Sequence, residues 1–169
     1  METQTLRTAA SPYAQLREWR PGDEVLLAQA GAELSPASLY ARFLAGVPTL
    51  PAAYLRLVAT APRWRWDAQV AVRDGRMIGW AEFGRMSPEC TEADLAVAVV
   101  DAWQRRGVGT ALVSSLLPRC RAAGVTVLSA QVAPSNVAAR AALRSWFGTR
   151  SDGMTVTLED GLLRFATPL

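Results

Sequence analysis

The chain has 169 residues, half of them hydrophobic and a fifth charged, with a formal net charge of +3 and no histidine. Such proportions describe a folded globular protein rather than a disordered one. The missing histidine excludes Ser-His-Asp triads, Cys-His dyads and His-based zinc sites, so proton transfer falls to a carboxylate, Tyr, Cys, a basic side chain, a terminus or water. No apolar run approaches the roughly 20 residues of a membrane span, and the start, METQTLRTAASPYAQ, has no signal-peptide core. The default location is therefore the cytoplasm, with no membrane partner. Cys90 and Cys120 form no CxxC pair, and a disulfide is not needed there. The basic residues are scattered among acids. Arg63 to Trp66 (RWRW) is the nearest approach to a basic stripe with interleaved aromatics, so no nucleic-acid partner is expected.

Residues 1–13 read as a loose leader and 14–169 as one domain. Residues 15–19 spell a short strand. Pro21-Gly22-Asp23 then turns into a helix over 24–34, with Asp23 as N-cap. Ser35 caps and Pro36 opens a second helix that Gly46 closes. Pro51 starts a third, AAYLRLVAT, which ends before Pro62. From residue 67 the period becomes that of strands, and Asp74-Gly75 is a strong hairpin signal between two of them. TEADLAVAVVDAW (91–103) alternates and then turns continuously apolar, as a central strand does. QRRGVGTALVSSLLPRCRAAG reads as a helix ending at Gly124, with Pro118 expected to kink or loosen its last turn. VTVLSAQV is a strand, Pro134-Ser135-Asn136 opens another helix, and GMTVTLE and LLRFATP make a terminal hairpin around Asp160-Gly161. This order predicts an α+β fold: a mixed, mostly antiparallel seven-stranded sheet flanked by helices. Its one parallel pair lies where strand, helix and strand follow one another.

The informative segment is Gln104-Arg105-Arg106-Gly107-Val108-Gly109-Thr110, between a buried strand and a helix. A helix start leaves backbone N–H groups without partners and carries partial positive charge. Glycines let an anion approach, and the two arginines add charge, so the segment suits a diphosphate without a metal. A Walker A loop is excluded because its Lys is absent. A Rossmann fingerprint is disfavoured because Leu112 stands at the third glycine position. The spacing matches [R/Q]xxGx[G/A], the coenzyme A loop of the GNAT acetyltransferases.

Over residues 14–150 the chain resembles that family. DLAVAVVDAWQRRGVGTALV looks like its fourth strand, loop and third helix, and VLSAQVAPSNVAARAAL like its fifth strand and fourth helix. The resemblance implies acetyl-CoA as acyl donor, no metal, and a GNAT fold in which the fourth and fifth strands splay apart. The pantetheine would lie in that gap and bond to backbone near Val99 and Val100. The diphosphate would lie over Gln104, Arg105, Arg106, Gly107, Val108, Gly109 and Thr110. Asn136 matches a helix-start asparagine that contacts coenzyme A in the family, and it is equally a simple helix cap. A narrower resemblance lies in LSPASLYARFLAG (Leu34–Gly46), which looks like the LSPxSxYxRF segment of Pat-type bacterial protein lysine acetyltransferases. It implies a protein substrate, an AMP-forming acyl-CoA synthetase. Two other readings stay open: a small-molecule amine N-acetyltransferase, and a module that binds acyl-CoA without turnover.

A lysine amine, with a pKa of roughly 10.4, is almost wholly protonated at pH 7, so transfer needs a base. Pat-type enzymes carry a strand-four glutamate ten residues before the loop Gln. That position here is Asp94, one methylene shorter. Glu92, two residues back on the same strand face, and Glu82, on the preceding strand, are the alternatives. Where many GNAT enzymes place an acidic tyrosine, seven residues after the helix-start Asn, this chain has Leu143.

Overall fold

Asp74 and Gly75 both adopt positive φ, 49° and 75°, as a tight hairpin turn requires. Around them the strands β2 (Trp66–Arg73) and β3 (Arg76–Gly84) pair antiparallel in the computed structural model, which describes residues 13–148 and 153–169. The expected leader, apart from Tyr13, lies outside the described residues. A short β1 (Gln15–Glu18) adds to β2, and β4 (Glu92–Val99) adds to β3, both antiparallel. β5 (Val127–Val132) runs parallel to β4. β7 (Leu162–Pro168) pairs antiparallel with β5, and β6 (Thr155–Glu159) closes that edge. The sheet order is β1-β2-β3-β4-β5-β7-β6, the mixed, mostly antiparallel seven-stranded sheet that the element order predicts.

Five helices complete the described residues: α1 (Asp23–Ala32), α2 (Pro36–Phe43), α3 (Ala52–Thr60), α4 (Val108–Ala122) and α5 (Val137–Phe147). Alternation along β4 sends its side chains to two cores. Leu95, Val97 and Val99 pack with α4 and α5, around Leu112, Leu116, Leu143 and Phe147. Ala98, and Val100 just beyond the strand, pack with α1 to α3, around Trp80, Leu27, Leu39 and Val58.

The decisive feature is where β4 and β5 part. They are paired only from Glu92–Val127 to Asp94–Ser129. Beyond that point β4 stays with β3 as far as Gly79–Val99, and β5 stays with β7 as far as Val132–Leu163. The result is a V with its vertex at Asp94 and Ser129. Past the vertex, each strand presents a row of backbone groups to the gap.

Several local details differ from the sequence reading. The N-cap of α1 is Gly22 (φ 97°), and Asp23 is its first residue. The Asp23 carboxylate instead binds the Arg17 guanidinium through two bonds of 2.6 and 2.7 Å and the Arg20 amide at 2.8 Å. α2 is capped by Ser35 as expected, its Oγ accepting from Ser38 N at 3.2 Å, but it ends at a left-handed Leu44 (φ 54°) rather than at Gly46. β4 stops at Val99, and Asp101–Trp103 forms a 3₁₀ turn where the apolar run predicts strand. α4 passes uninterrupted through Pro118. That proline stands on the exposed face, where water can reach the carbonyl it leaves unpaired. Gly124, at φ 80°, ends α4 as expected, and Val125 N reaches back to Cys120 O at 2.9 Å.

Candidate active site

The loop before α4 turns sharply on two left-handed residues, Arg105 (φ 57°) and Gly107 (φ 79°). Gly107 is the N-cap, and no side chain caps the helix. The first amides of α4 are thus left open, with the helix dipole behind them. A Cβ built on Gly107 meets nothing within 4 Å, so its need for glycine is conformational. Gly107→Ala is expected to cost about 1–2 kcal/mol. Thermal melts should fall by roughly 2–8 °C for a chain of this size, and protection by acetyl-CoA should shrink with them.

The seven loop residues do not act alike. Gln104 donates through Nε2 to Val99 O and Ser38 Oγ, both at 3.0 Å, so it ties the loop to β4 and α2. The two arginines part company: Arg105 lines the cleft, whereas the Arg106 guanidinium stands over the Trp103 ring at 5.0 Å, beside Tyr13. Arg73 stacks on the same indole at 4.9 Å. Val108 is buried beneath the helix start. Gly109 lines the cleft, where an added Cβ would touch Trp146, Val99 and Val97 at ordinary contact distance. Thr110 Oγ1 accepts from Trp146 Nε1 at 3.1 Å.

The gap between the splayed strands is a cleft of about 320 Å³. Gln104, Arg105 and Gly109 stand at one end, and Leu95, Ala130 and Leu143 at the other. From Val99 to Asp94 the strand covers about 17 Å at ~3.4 Å per residue. That length suits an extended arm anchored at the helix start. The Val100 amide donates to Ile78 O of β3 at 2.9 Å. Val100 therefore faces away from the gap, contrary to expectation, and alternation turns Val97 and Val99 toward it. The Val99 carbonyl already accepts from Gln104. Asn136 caps α5, its Oδ1 accepting from Ala139 N at 3.0 Å.

The three candidate carboxylates have different surroundings. Asp94 is exposed at the vertex, where Ser129 Oγ donates to its Oδ1 at 2.8 Å. Alternation puts it on the face of Ala96 and Ala98, the side covered by α1 to α3. Glu92 is ion-paired with Arg164 of β7. That guanidinium's hydrogen bond holds its carboxyl below the usual range, so it is a weaker proton acceptor. Glu82 is buried, with one oxygen accepting from Arg42 of α2 and the other from the Tyr54 hydroxyl of α3. Burial, and then the Glu82 charge, push the Tyr54 phenol well above its ordinary value, so it remains a donor. Trp80 Nε1 donates to the same hydroxyl at 3.0 Å.

Residues 38–148 match the family model described as the acetyltransferase (GNAT) family. The chain belongs to the GNAT acetyltransferases. The GNAT domain of S. lividans PAT is similar over 92% of this chain and 90% of that one, at 25% identity and a TM-score of 0.82. A phosphinothricin acetyltransferase from Sinorhizobium meliloti, in complex with acetyl-CoA, superposes with a TM-score of 0.71 at 19% identity. It covers 92% of this chain and 88% of that one. The putative acetyltransferase yncA from Salmonella typhimurium, with acetyl-CoA, gives 0.69 at 22% identity, covering 92% and 93%.

Acetyl-CoA is thus the donor of this acetyltransferase, and the site fits it. The open amides of α4 and the Arg105 guanidinium suit its diphosphate, and the gap between β4 and β5 suits its arm. Bound there, it supplies an activated acetyl thioester. Among the described residues no group of three or more His, Cys, Asp or Glu could hold a metal ion, and no helix is long and apolar enough to cross a membrane. Leu143 is buried and lines the cleft, so α5 offers no acid at that position. Four cleft or near-cleft residues escape the sequence reading: Arg42, Tyr54, Ser129 and Trp146. Arg42 lies inside the LSPASLYARF segment. Ser129 has no local mark, because only the β4–β5 register brings it to Asp94.

Proposed function

We propose that this acetyltransferase modifies lysine side chains of a protein, an AMP-forming acyl-CoA synthetase, with Asp94 as general base. One observation carries the reading. The segment that resembles Pat-type enzymes folds as α2 and builds a cleft wall through Leu34, Ser38, Ala41 and Arg42. That wall lies on the sheet face that bears Asp94. The likeness to the GNAT domain of S. lividans PAT, over nearly the whole of both chains, supports it.

In this scheme the acceptor ammonium enters over Ala96 and Ala98. Asp94 takes its proton, directly or through one water that makes up for the shorter side chain. The Ser129 hydroxyl holds the carboxylate in position. The Val97 amide, turned into the gap, would hold the thioester carbonyl as the amine attacks, the C–S bond breaks and coenzyme A leaves as the thiol with the second proton of the amine. The second reading, a small-molecule amine acceptor, uses the same machinery. A panel of purified acyl-CoA synthetases and free amines with labelled acetyl-CoA separates the two. All 18 basic residues of this chain are arginine, so lysine-bound label reports the acceptor alone. Transfer to a synthetase lysine is expected to exceed transfer to any free amine; the reverse order rejects the protein acceptor.

A further inference from the structure

Two cavities meet at one wall. The cleft ends at Leu95, Ala130 and Leu143. The same three side chains border a second, smaller cavity of about 10 Å³, which continues toward Leu128, Met154 and Phe165. The Ser129 hydroxyl at its edge is already bonded to Asp94. The smaller cavity offers little more than one water-sized space and is almost wholly apolar.

The diphosphate end of the cleft lies at α4, so the acyl end of the donor falls at this wall. We propose that Leu143, with Leu95 across from it, sets the acyl length of the donor. The wall stops the chain at acetyl, and the cavity behind it is where further methylenes go once Leu143 is trimmed. Leu143 is 5% exposed and belongs to both linings, so shortening it joins the two spaces rather than opening either to solvent. The inference rests on the acetyl-CoA reading of the cleft and on neither the base nor the acceptor proposed above.

Each buried methylene strengthens binding by about fourfold, so two extra methylenes are worth about 15-fold where room exists. The test titrates acetyl-CoA and butyryl-CoA into wild type, Leu143→Ala and Met154→Ala by calorimetry. Wild type is expected to prefer acetyl-CoA. In Leu143→Ala the ratio of the two affinities is expected to move about tenfold toward butyryl-CoA. Met154→Ala enlarges the lower cavity without breaching the wall, and its ratio should stay within about twofold of wild type. Three results would overturn the proposal: equal binding of both donors by wild type, an unchanged ratio in Leu143→Ala, or an equal shift in Met154→Ala. If Leu143→Ala does not fold, Leu143→Val is read in its place, with a shift of about fourfold expected. Because affinity alone is read, failure to acetylate any lysine does not bear on this outcome.

Discussion

Asp94→Asn is expected to lower kcat by about 10²- to 10³-fold while leaving acetyl-CoA affinity within about twofold. The amide has the shape of the carboxylate and can still accept the Ser129 hydrogen bond, but it cannot take a proton from an ammonium. The cleft lining itself begins one residue further on, at Leu95, so donor binding is untouched. Glu92→Gln is the control. Glu92 is committed to Arg164, and its loss should change kcat by no more than about threefold. Single-turnover rates beside calorimetric affinities check both. Normal turnover in Asp94→Asn with collapse in Glu92→Gln would move the role two residues back along β4.

The Glu82 cluster should respond in stability instead. Arg42 and Glu82 side chains are only 12% and 7% exposed, and Glu82 also holds the Tyr54 hydroxyl. Removing one member of a buried pair leaves an uncompensated charge and costs about 3–5 kcal/mol. For Glu82→Ala that is a melting temperature lower by roughly 6–20 °C. Arg42, stranded between the Phe43 and Tyr54 rings, is the reason. Tyr54→Phe keeps the ion pair but loses two hydrogen bonds, the charge-assisted one to Glu82 and the one from Trp80 Nε1, together about 2–4 kcal/mol. Calorimetric melts rank the two. A Glu82→Ala protein that melts like wild type yet has lost turnover would make Glu82, and not Asp94, the base. This cluster also binds α2 and α3 to β3, so it holds the wall of the cleft in place.

The local signals were legible because each depends on neighbours in sequence. Asp74-Gly75 and Asp160-Gly161 turn at positive φ, Ser35 and Asn136 cap their helices, and Gly124 ends α4 at positive φ. The Asp101–Trp103 turn departs from the strand expected there for a related reason. Its apolar run continues that of β4, and only the closing bonds Trp103 N to Val100 O and Gln104 N to Asp101 O show that the strand has ended.

The residues 104–110 by themselves marked a helix start with open amides, because that follows from backbone chemistry within a few residues; the donor class came with their resemblance to the coenzyme A loop of the family. Which of the carboxylates stands outside an ion pair was a tertiary matter. Asp94, Glu92 and Glu82 look alike in a string of letters, and their partners lie 35, 72 and 40 residues away in sequence, at Ser129, Arg164 and Arg42. The Val100 backbone turns to β3 and not to the gap, because the parity of a strand is set by its register with the next one, through Ile78. The cleft itself exists because β5 follows β7 while β4 follows β3, a parting made by pairing across the sheet and by no residue within either strand.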